Sequence, residues 1–401
     1  MERYLCCIVQ DKYILRDHRI RVAFVLSIGL FTGCLGPNAD TNAGCSSSFE
    51  YILPEAAEGF RWKVLATPSL SQKLTCLEIF DASFQAINTS VYRDSFALAN
   101  DPCPLGETVV LNTTARGIAT LSTTHVALLE AWDPSLIHWA GGAFVDYIQS
   151  DIAHNRLDSG ASVSYGGNPE WDLEMLVSHP PSVLCIYPFG NPLNDARWAD
   201  AVPIVPVLEY LEPHPLGRAE WMCAFGWLAG DSAWAESSAV FAEVQTRYDA
   251  VRLNSRSDNR LRVFTGSVQQ GEWHAPGGDS FIAKLLQDAG ADYVFENRPG
   301  RENVQIPLEE MIALGKSCDA WGIVLNDARA SLSIRDLLQM EDRNRLLIPN
   351  SNRVFVANAA HCDYFGWWVA RPDAMLLNLA NLFDEDGVLM EDETCFNWLL
   401  E

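Results

Sequence analysis

GRAEWMCAFGWLAGDSAWAESSAVFAEVQTRYDAVRL, residues Gly217 to Leu253, decides how this chain is read. From Asp231 onward it carries the period of one long helix. Trp234, Phe241, Val244, Tyr248 and Val251 recur at three-, four- and seven-residue intervals, with Glu236, Glu243, Arg247 and Arg252 between them. Asp231 or Ser232, after Gly230, supplies an N-cap, and no proline or glycine interrupts the run before Asn254. At about 1.5 Å per residue the helix spans roughly 33 Å, the width of a small domain. On both sides of it the chain alternates strand and helix. The helix therefore reads as a stiff spacer between two α/β lobes, with a cleft between them. Periodicity alone also fits an ordinary helix inside one large domain.

The 401 residues suffice for two or three domains with full cores. With 48% hydrophobic and 20% charged residues, the composition is that of a globular chain. A net charge of -24 argues against nucleic acid and anionic membrane surfaces as partners, and suits docking onto a basic surface.

Val22 to Gly33, VAFVLSIGLFTG, is an apolar run preceded by Arg19 and Arg21. It is too short to cross a bilayer and has the proportions of a signal-peptide core. It ends in Leu30-Phe31-Thr32-Gly33-Cys34, the pattern of a lipobox, which makes Cys34 the expected lipidated first residue. A buried N-terminal strand is the alternative. Met1 to Ile20 is longer and more acidic than an ordinary leader start, which suggests a true start further downstream. Beyond Cys34 stand Cys45, Cys76, Cys103, Cys185, Cys223, Cys318, Cys362 and Cys395, without CxxC or zinc-type spacing. They read mostly as buried small hydrophobes, and an exported setting permits disulfides that sequence cannot pair.

Residues 35–50 are small and polar, a flexible tether. Tyr51 to Leu111 reads as mainly strands. Gly117 to Ser122 is a strand, and Thr123 to Trp132 a helix whose start, Ser122-Thr123-Thr124-His125, can either cap the helix or face a ligand. A strand-like segment begins at Leu136. Glu170 to Ser178 is a short helix stopped by Pro180-Pro181, and Val183 to Tyr187 a buried strand ending in Tyr187, Pro188 and Phe189. Ligands of open α/β sheets gather outside such strand ends. Val202 to Leu208 is a further strand. Past the spacer, Arg262 to Ser267 is a strand and Val268 to Gly278 a loop. Asp279 or Ser280 caps a helix to Gln287. Pro307 opens a helix to Leu314, and strands follow at Ala320–Leu325 and Arg353–Ala359. The second of these ends in His361-Cys362-Asp363-Tyr364-Phe365-Gly366-Trp367-Trp368, and Pro372 begins the last substantial helix, to Phe383. The halves echo each other: LEMLVSHPPSVLCIY in the first and LEEMIALGKSCDAWGIV in the second each lead a glutamate-bearing helix into a buried strand.

These segments resemble the periplasmic substrate-binding proteins of ABC importers for ferric siderophores, haem and vitamin B12, in particular Bacteroidetes-type lipoproteins. Five segments carry the likeness, over roughly residues 117–385: Ser122-Thr123-Thr124-His125; Leu173-Glu174 through Leu184; Pro215 to Trp221 with Gly230 and the spacer; Trp273 to Phe281 with Asp288 to Tyr293; and Leu308-Glu309 through Trp321. Each is weak alone; their order and spacing make the set specific. Pro180 and Ser182 replace the lysine and aspartate usual around the conserved proline, and no arginine-rich siderophore site is evident.

The resemblance implies a two-lobed α/β receptor that catalyses nothing and needs no cofactor. Its domains would be a signal peptide (1–33), a lipidated tether (34–50), an N-terminal lobe (51–216), an interlobe helix (217–253) and a C-terminal lobe (254–401). It would work as a monomer at the cell envelope, held to a membrane by lipid on Cys34. Glu174 and Glu309 would stand at the tips of the lobes as anionic pegs for arginine pockets of the permease, although first-turn glutamates are also favoured by the helix dipole alone. Glu170 and Glu310 are neighbours with which the pegs could be confused. The cleft would be lined near 122–125, 187–189, 273–278 and 361–367, by Ser122, Thr123, Thr124, His125, Tyr187, Phe189, Trp273, His274, Tyr364, Phe365 and Trp367. That largely aromatic lining suits an organic metal chelate better than a bare ion.

Two other functions compete. His125, His274 and His361 follow strands and could converge on a bare transition-metal ion, and a metal-dependent extracytoplasmic enzyme would need a similar cluster. No HExxH, GxSxG, P-loop or GxGxxG occurs.

Overall fold

The computed structural model describes residues 49–65, 74–81, 87–167, 170–188, 202–255, 260–329, 331–384 and 394–400. The apolar run 22–33, Cys34, the tether to Ser48 and Phe189 lie outside the described residues.

The first strands are β1 (Glu50–Ile52), β2 (Phe60–Leu65), β3 (Leu74–Phe80), β4 (Asn88–Tyr92) and β5 (Glu107–Val110), and they pair in sequence order. Pairing is antiparallel except for β4 with β5. Period-two alternation sorts their side chains. Phe60, Trp62, Leu77, Ile79 and Val91 join the main core, while Leu65, Cys76 and Tyr92 turn to a small separate cluster. That second face also holds ions. The Lys63 ammonium, 1% exposed, donates to both Asp101 oxygens at 2.8 Å and lies 3.3 Å from Glu78 Oε1. The Tyr92 hydroxyl donates to Asp101 at 2.8 Å. Buried charge is tolerated when paired in this way.

Next come β6 (Ile118–Thr120), β7 (Trp139–Gly142), β8 (Val163–Ser164), the two-residue pair β9 (Gly166–Gly167) and β10 (Glu170–Trp171), β11 (Val183–Ile186) and β12 (Ile204–Pro206). Five of them form a parallel sheet in the order β12-β11-β6-β7-β8. Fully buried β11, VLCI, is the continuous apolar run expected of a strand covered on both faces.

The second half supplies β13 (Arg262–Thr265), β14 (Ser267–Gln269), β15 (Glu272–Pro276), β16 (Asp292–Tyr293), β17 (Asn303–Ile306), β18 (Ala320–Leu325), β19 (Val354–Asn358) and β20 (Phe396–Trp398). Its main sheet runs β16-β13-β18-β19-β20, parallel except at β20. In each parallel sheet the chain steps from a middle strand to one side and later returns to the other. The reversals fall between β6 and β11 and between β13 and β18. Crevices open at such points, beyond the carboxyl ends of the strands. The α/β architecture is the expected one.

The long helix runs from Asp231 to Asn254, starting where its period predicts, but the interlobe stretch 217–253 is not one helix: a separate helix, Pro215–Ala229, precedes it. Gly230, at φ +135°, breaks them. They pack so closely that a Cβ at Gly226 would lie 2.0 Å from Ser237 Oγ. Phe241, Val244 and Tyr248 are buried as the periodicity predicts, while Trp234 and Val251 are half-buried.

The first of these helices also grips the loop between β1 and β2. Glu220 accepts backbone N–H bonds from Glu55, Ala56 and Ala57 at 2.7, 2.7 and 2.8 Å. Glu212, just upstream, accepts from Glu58 at 2.8 Å, Gly59 at 3.0 Å and the Trp221 indole at 2.8 Å. Burial pushes the Glu212 carboxyl up to about 7, against the pull of these donors.

A second correction concerns Val268 to Gly278. Most of this expected loop is the hairpin β14–β15, joined by β17 into a three-stranded antiparallel sheet. Glu272 exposed, Trp273 buried, His274 half-buried and Ala275 buried is strand alternation. Among the cysteines, Cys76, Cys185, Cys223 and Cys318 are buried thiols, and Cys362 bonds Cys395 with Cα atoms 5.4 Å apart.

Candidate functional site

Across the seam between the lobes, the carboxyl ends of the two parallel sheets meet. After β6, Ser122 caps the Thr123–Glu130 helix, its Oγ accepting from Thr124 N at 3.3 Å. Thr123 is half-buried beside it. Thr124, 5% exposed, donates its hydroxyl to the Phe365 carbonyl at 3.0 Å, 241 residues away in the other lobe. After β7, Gln149 donates its amide to the Ala359 carbonyl at 2.7 Å, just past β19. Lower in the seam, Arg301 donates to the Leu211 carbonyl at 3.1 Å and pairs with Glu58 at 2.6 Å. The Arg218 guanidinium lies 4.4 Å from the Phe281 ring centre.

The segment after β19 is the aromatic part of the seam. Tyr364 is half-buried, edge-on to Phe365 at 5.0 Å and to Phe396 at 6.0 Å. Phe365 and Trp367 keep 41% and 39% of their surface exposed, large values for such side chains. Asp363 holds the turn by accepting the Trp367 N–H at 2.7 Å, and burial raises its carboxyl pKa. The disulfide pins the same segment to the residue before β20. Tyr187, at the end of β11, is half-buried against the first lobe's smaller apolar cluster.

Other expected cleft residues lie elsewhere. Trp273 is 0% exposed, its ring 5.7 Å from Phe264 and 5.6 Å from Trp321, and its indole N–H donates to the Thr265 carbonyl at 3.2 Å. It is core of the second lobe and presents no face to the seam. His274 sits mid-strand, paired with Ser267 and Gln305, and His361 is exposed. His125, in contrast, stays by the seam: it is 0% exposed, follows Thr124, and its ring faces Phe225 and Glu209. Among the described residues, no group of three or more His, Cys, Asp or Glu side chains could hold a metal ion, so the three histidines do not form the expected alternative metal site.

Sequence reasoning missed Gln149, Glu209 and Arg218. A glutamate inside the apolar run VPIVPVLEYL was the available signal for Glu209. Gln149 gave none. A cavity of about 460 Å³ is lined by Glu55, Glu58 and His214 of the first lobe, Gln245 and Asp249 of the long helix and Lys284 of the second lobe.

The two candidate pegs are exposed. Glu174 is exposed in the first turn of the Leu173–Ser178 helix, and Glu309 in the first turn of the Leu308–Gly315 helix. Neither has an ion-pair partner among the described residues, whereas Glu310 is taken up by Arg298. The helix bearing Glu174 starts at Leu173, capped by Asp172, and not at Glu170, which lies in β10.

The sequence profile described as "Periplasmic binding protein" matches residues 118–339, from the first parallel strand into the second lobe. The chain belongs to the periplasmic binding protein family. An uncharacterised lipoprotein of Methanocaldococcus jannaschii is 26% identical over 315 residues, 73% of each chain. A periplasmic haem-binding protein of Pseudomonas aeruginosa is similar in structure, with a TM-score of 0.53 at 15% identity, covering 71% of this chain and 98% of that one. A Listeria monocytogenes ABC transporter substrate-binding protein gives 0.50 at 12% identity, covering 66% and 98%. At these identities the structural likeness speaks for the fold. Periplasmic binding proteins are solute-binding transport proteins.

Proposed function

We propose that this protein is the extracytoplasmic receptor of an ABC importer, capturing an organic metal chelate (an iron-siderophore, haem or a corrinoid) between its lobes and passing it to a permease. The observation that carries this reading is the apposition of the two sheets' carboxyl ends across one seam, with exposed Phe365 and Trp367 and half-buried Tyr364 after β19 and half-buried Tyr187 at the end of β11. Aromatic surface favours a large planar or macrocyclic solute, since each buried ring contributes on the order of a kcal/mol or more.

Delivery rests on Glu174 and Glu309, on the corresponding helix of each lobe, each a carboxylate without an ion-pair partner among the described residues. Exposed pairs contribute little each, yet two at a fixed separation orient a docked partner. In the double variant Glu174→Lys with Glu309→Lys, solution affinity for the chelate stays within about twofold and import in cells falls to background. A large loss of affinity in the purified variant would place these residues in the solute site instead.

Anchoring rests on Cys34, at the end of the signal-like run. Cys34→Ser is expected to move folded protein from the membrane fraction to the soluble one. Unchanged membrane retention would remove the anchor from this reading.

A further inference from the structure

Four buried side-chain nitrogen and oxygen atoms without a hydrogen-bond partner come together at one place: His125 Nδ1 and Nε2, Glu209 Oε2 and Arg218 Nε. His125 is 0% exposed and Glu209 3%, and the Arg218 side chain is 12% exposed. His125 Nε2 stands 3.9 Å from Glu209 Oε2, outside hydrogen-bond range, and Arg218 Nη2 stands 3.5 Å from Glu209 Oε1. Leaving such atoms unpaired and buried is costly, so a cluster of them marks a place built for polar company.

The cluster lies at the floor of the seam. Glu209 follows β12 at its carboxyl end, and Leu211, two residues on, is bonded by Arg301 of the other lobe. Arg218 spans the lobes directly, with Glu209 on one side and the Phe281 ring on the other. Separation of the lobes would uncover these groups together.

Their chemistry is selective. Glu209 offers a free acceptor oxygen, Arg218 a free N–H, and His125 two ring nitrogens. His125 and Arg218 hold the Glu209 carboxyl below the ordinary range despite its burial, so it stays an anion. A ligand carboxylate reaching for Arg218 would bring a second anion against Glu209, which already holds that guanidinium at 3.5 Å. A carboxamide, with N–H toward Glu209 and its carbonyl toward Arg218, would satisfy both.

We propose that His125, Glu209 and Arg218 are the specificity determinant of the cleft, admitting a chelate that presents carboxamide or peptide groups and disfavouring one that presents free carboxylates. This rests on the chelate reading above. It separates two amide sources, the side chains of a corrinoid and the backbone of a cyclic-peptide siderophore, from haem with its propionates.

The test is a titration of the full chain, followed by tryptophan fluorescence at neutral pH, with dicyanocobinamide, ferrichrome and haemin. One of the two amide-bearing chelates is expected to bind at least about tenfold more tightly than haemin, as expected for avoidance of one like-charge contact. If it is the corrinoid, its partially hydrolysed monocarboxylic acids are expected to lose about the same factor on the unaltered protein, a comparison that needs no variant to fold. Glu209→Gln, checked for folding by circular dichroism, is expected to narrow the gap to haemin to below about threefold. Haemin binding as tightly as the amide chelates, or a gap unchanged by Glu209→Gln, overturns the assignment while leaving the receptor reading intact. No binding by any of the three overturns the chelate reading, and this inference with it.

Discussion

Replacing Trp273 by alanine is expected to lower the unfolding free energy by about 3–5 kcal/mol and to leave the affinity of the folded protein for its solute unchanged. The ring has no exposed surface and fills the space between β15 and the main sheet of the second lobe, against Phe264 and Trp321. Its removal leaves a cavity that Phe264 and Trp321 cannot close without leaving their own contact, a near-parallel stack at 5.9 Å. It also strips the Thr265 carbonyl of the indole donor. Urea unfolding measures the first effect, and titration of the variant under native conditions the second. A variant of normal stability with weakened binding would return Trp273 to the solute site.

The double variant Cys362→Ser with Cys395→Ser is expected to lose about 4 kcal/mol of stability, the chain-entropy value for a closed loop of this size, with a sequence separation of 33. Its local effect matters more for function. The bond holds the segment that carries Phe365 and Trp367 and that offers the Ala359 and Phe365 carbonyls to Gln149 and Thr124. Hydrogen exchange across 359–367 should rise in the variant by more than elsewhere in the second lobe. Uniform acceleration over the whole lobe would mean that the disulfide stabilises the fold without shaping the seam.

The two lobes and the long helix were legible because burial there has a simple period. Phe241, Val244 and Tyr248 mark one face of a helix, and VLCI marks a strand covered on both sides. Trp273 was misjudged for a different reason. The hairpin's alternation is only five residues long and lies beside Gly271, Pro276 and Gly277, which read as loop. Either Glu309 or Glu310 fits a first helical turn, and that Arg298, 12 residues away, takes up Glu310 is visible only in the fold. Thr124 and Phe365 could not be paired from sequence at all, because the closeness of two strand ends so far apart is a property of how the lobes fold. Glu209 and Arg218 were hidden likewise: a lone glutamate in an apolar run shows that something must meet it, without showing what.

The grip of Glu212 and Glu220 on residues 55–59 has a consequence for what counts as a domain here. The region matched to the family starts at residue 118, so the first five strands stand outside it. Five consecutive backbone N–H groups from that outer part nevertheless terminate on two carboxylates of the family region, and Trp62 packs on Trp234 of the long helix at 4.9 Å. A chain beginning at residue 118 would keep two acidic groups shaped for donors it no longer had, beneath a surface meant to be covered. The stretch matched to the family profile is thus smaller than the packed unit it belongs to, and the first sheet is part of the scaffold on which that stretch rests.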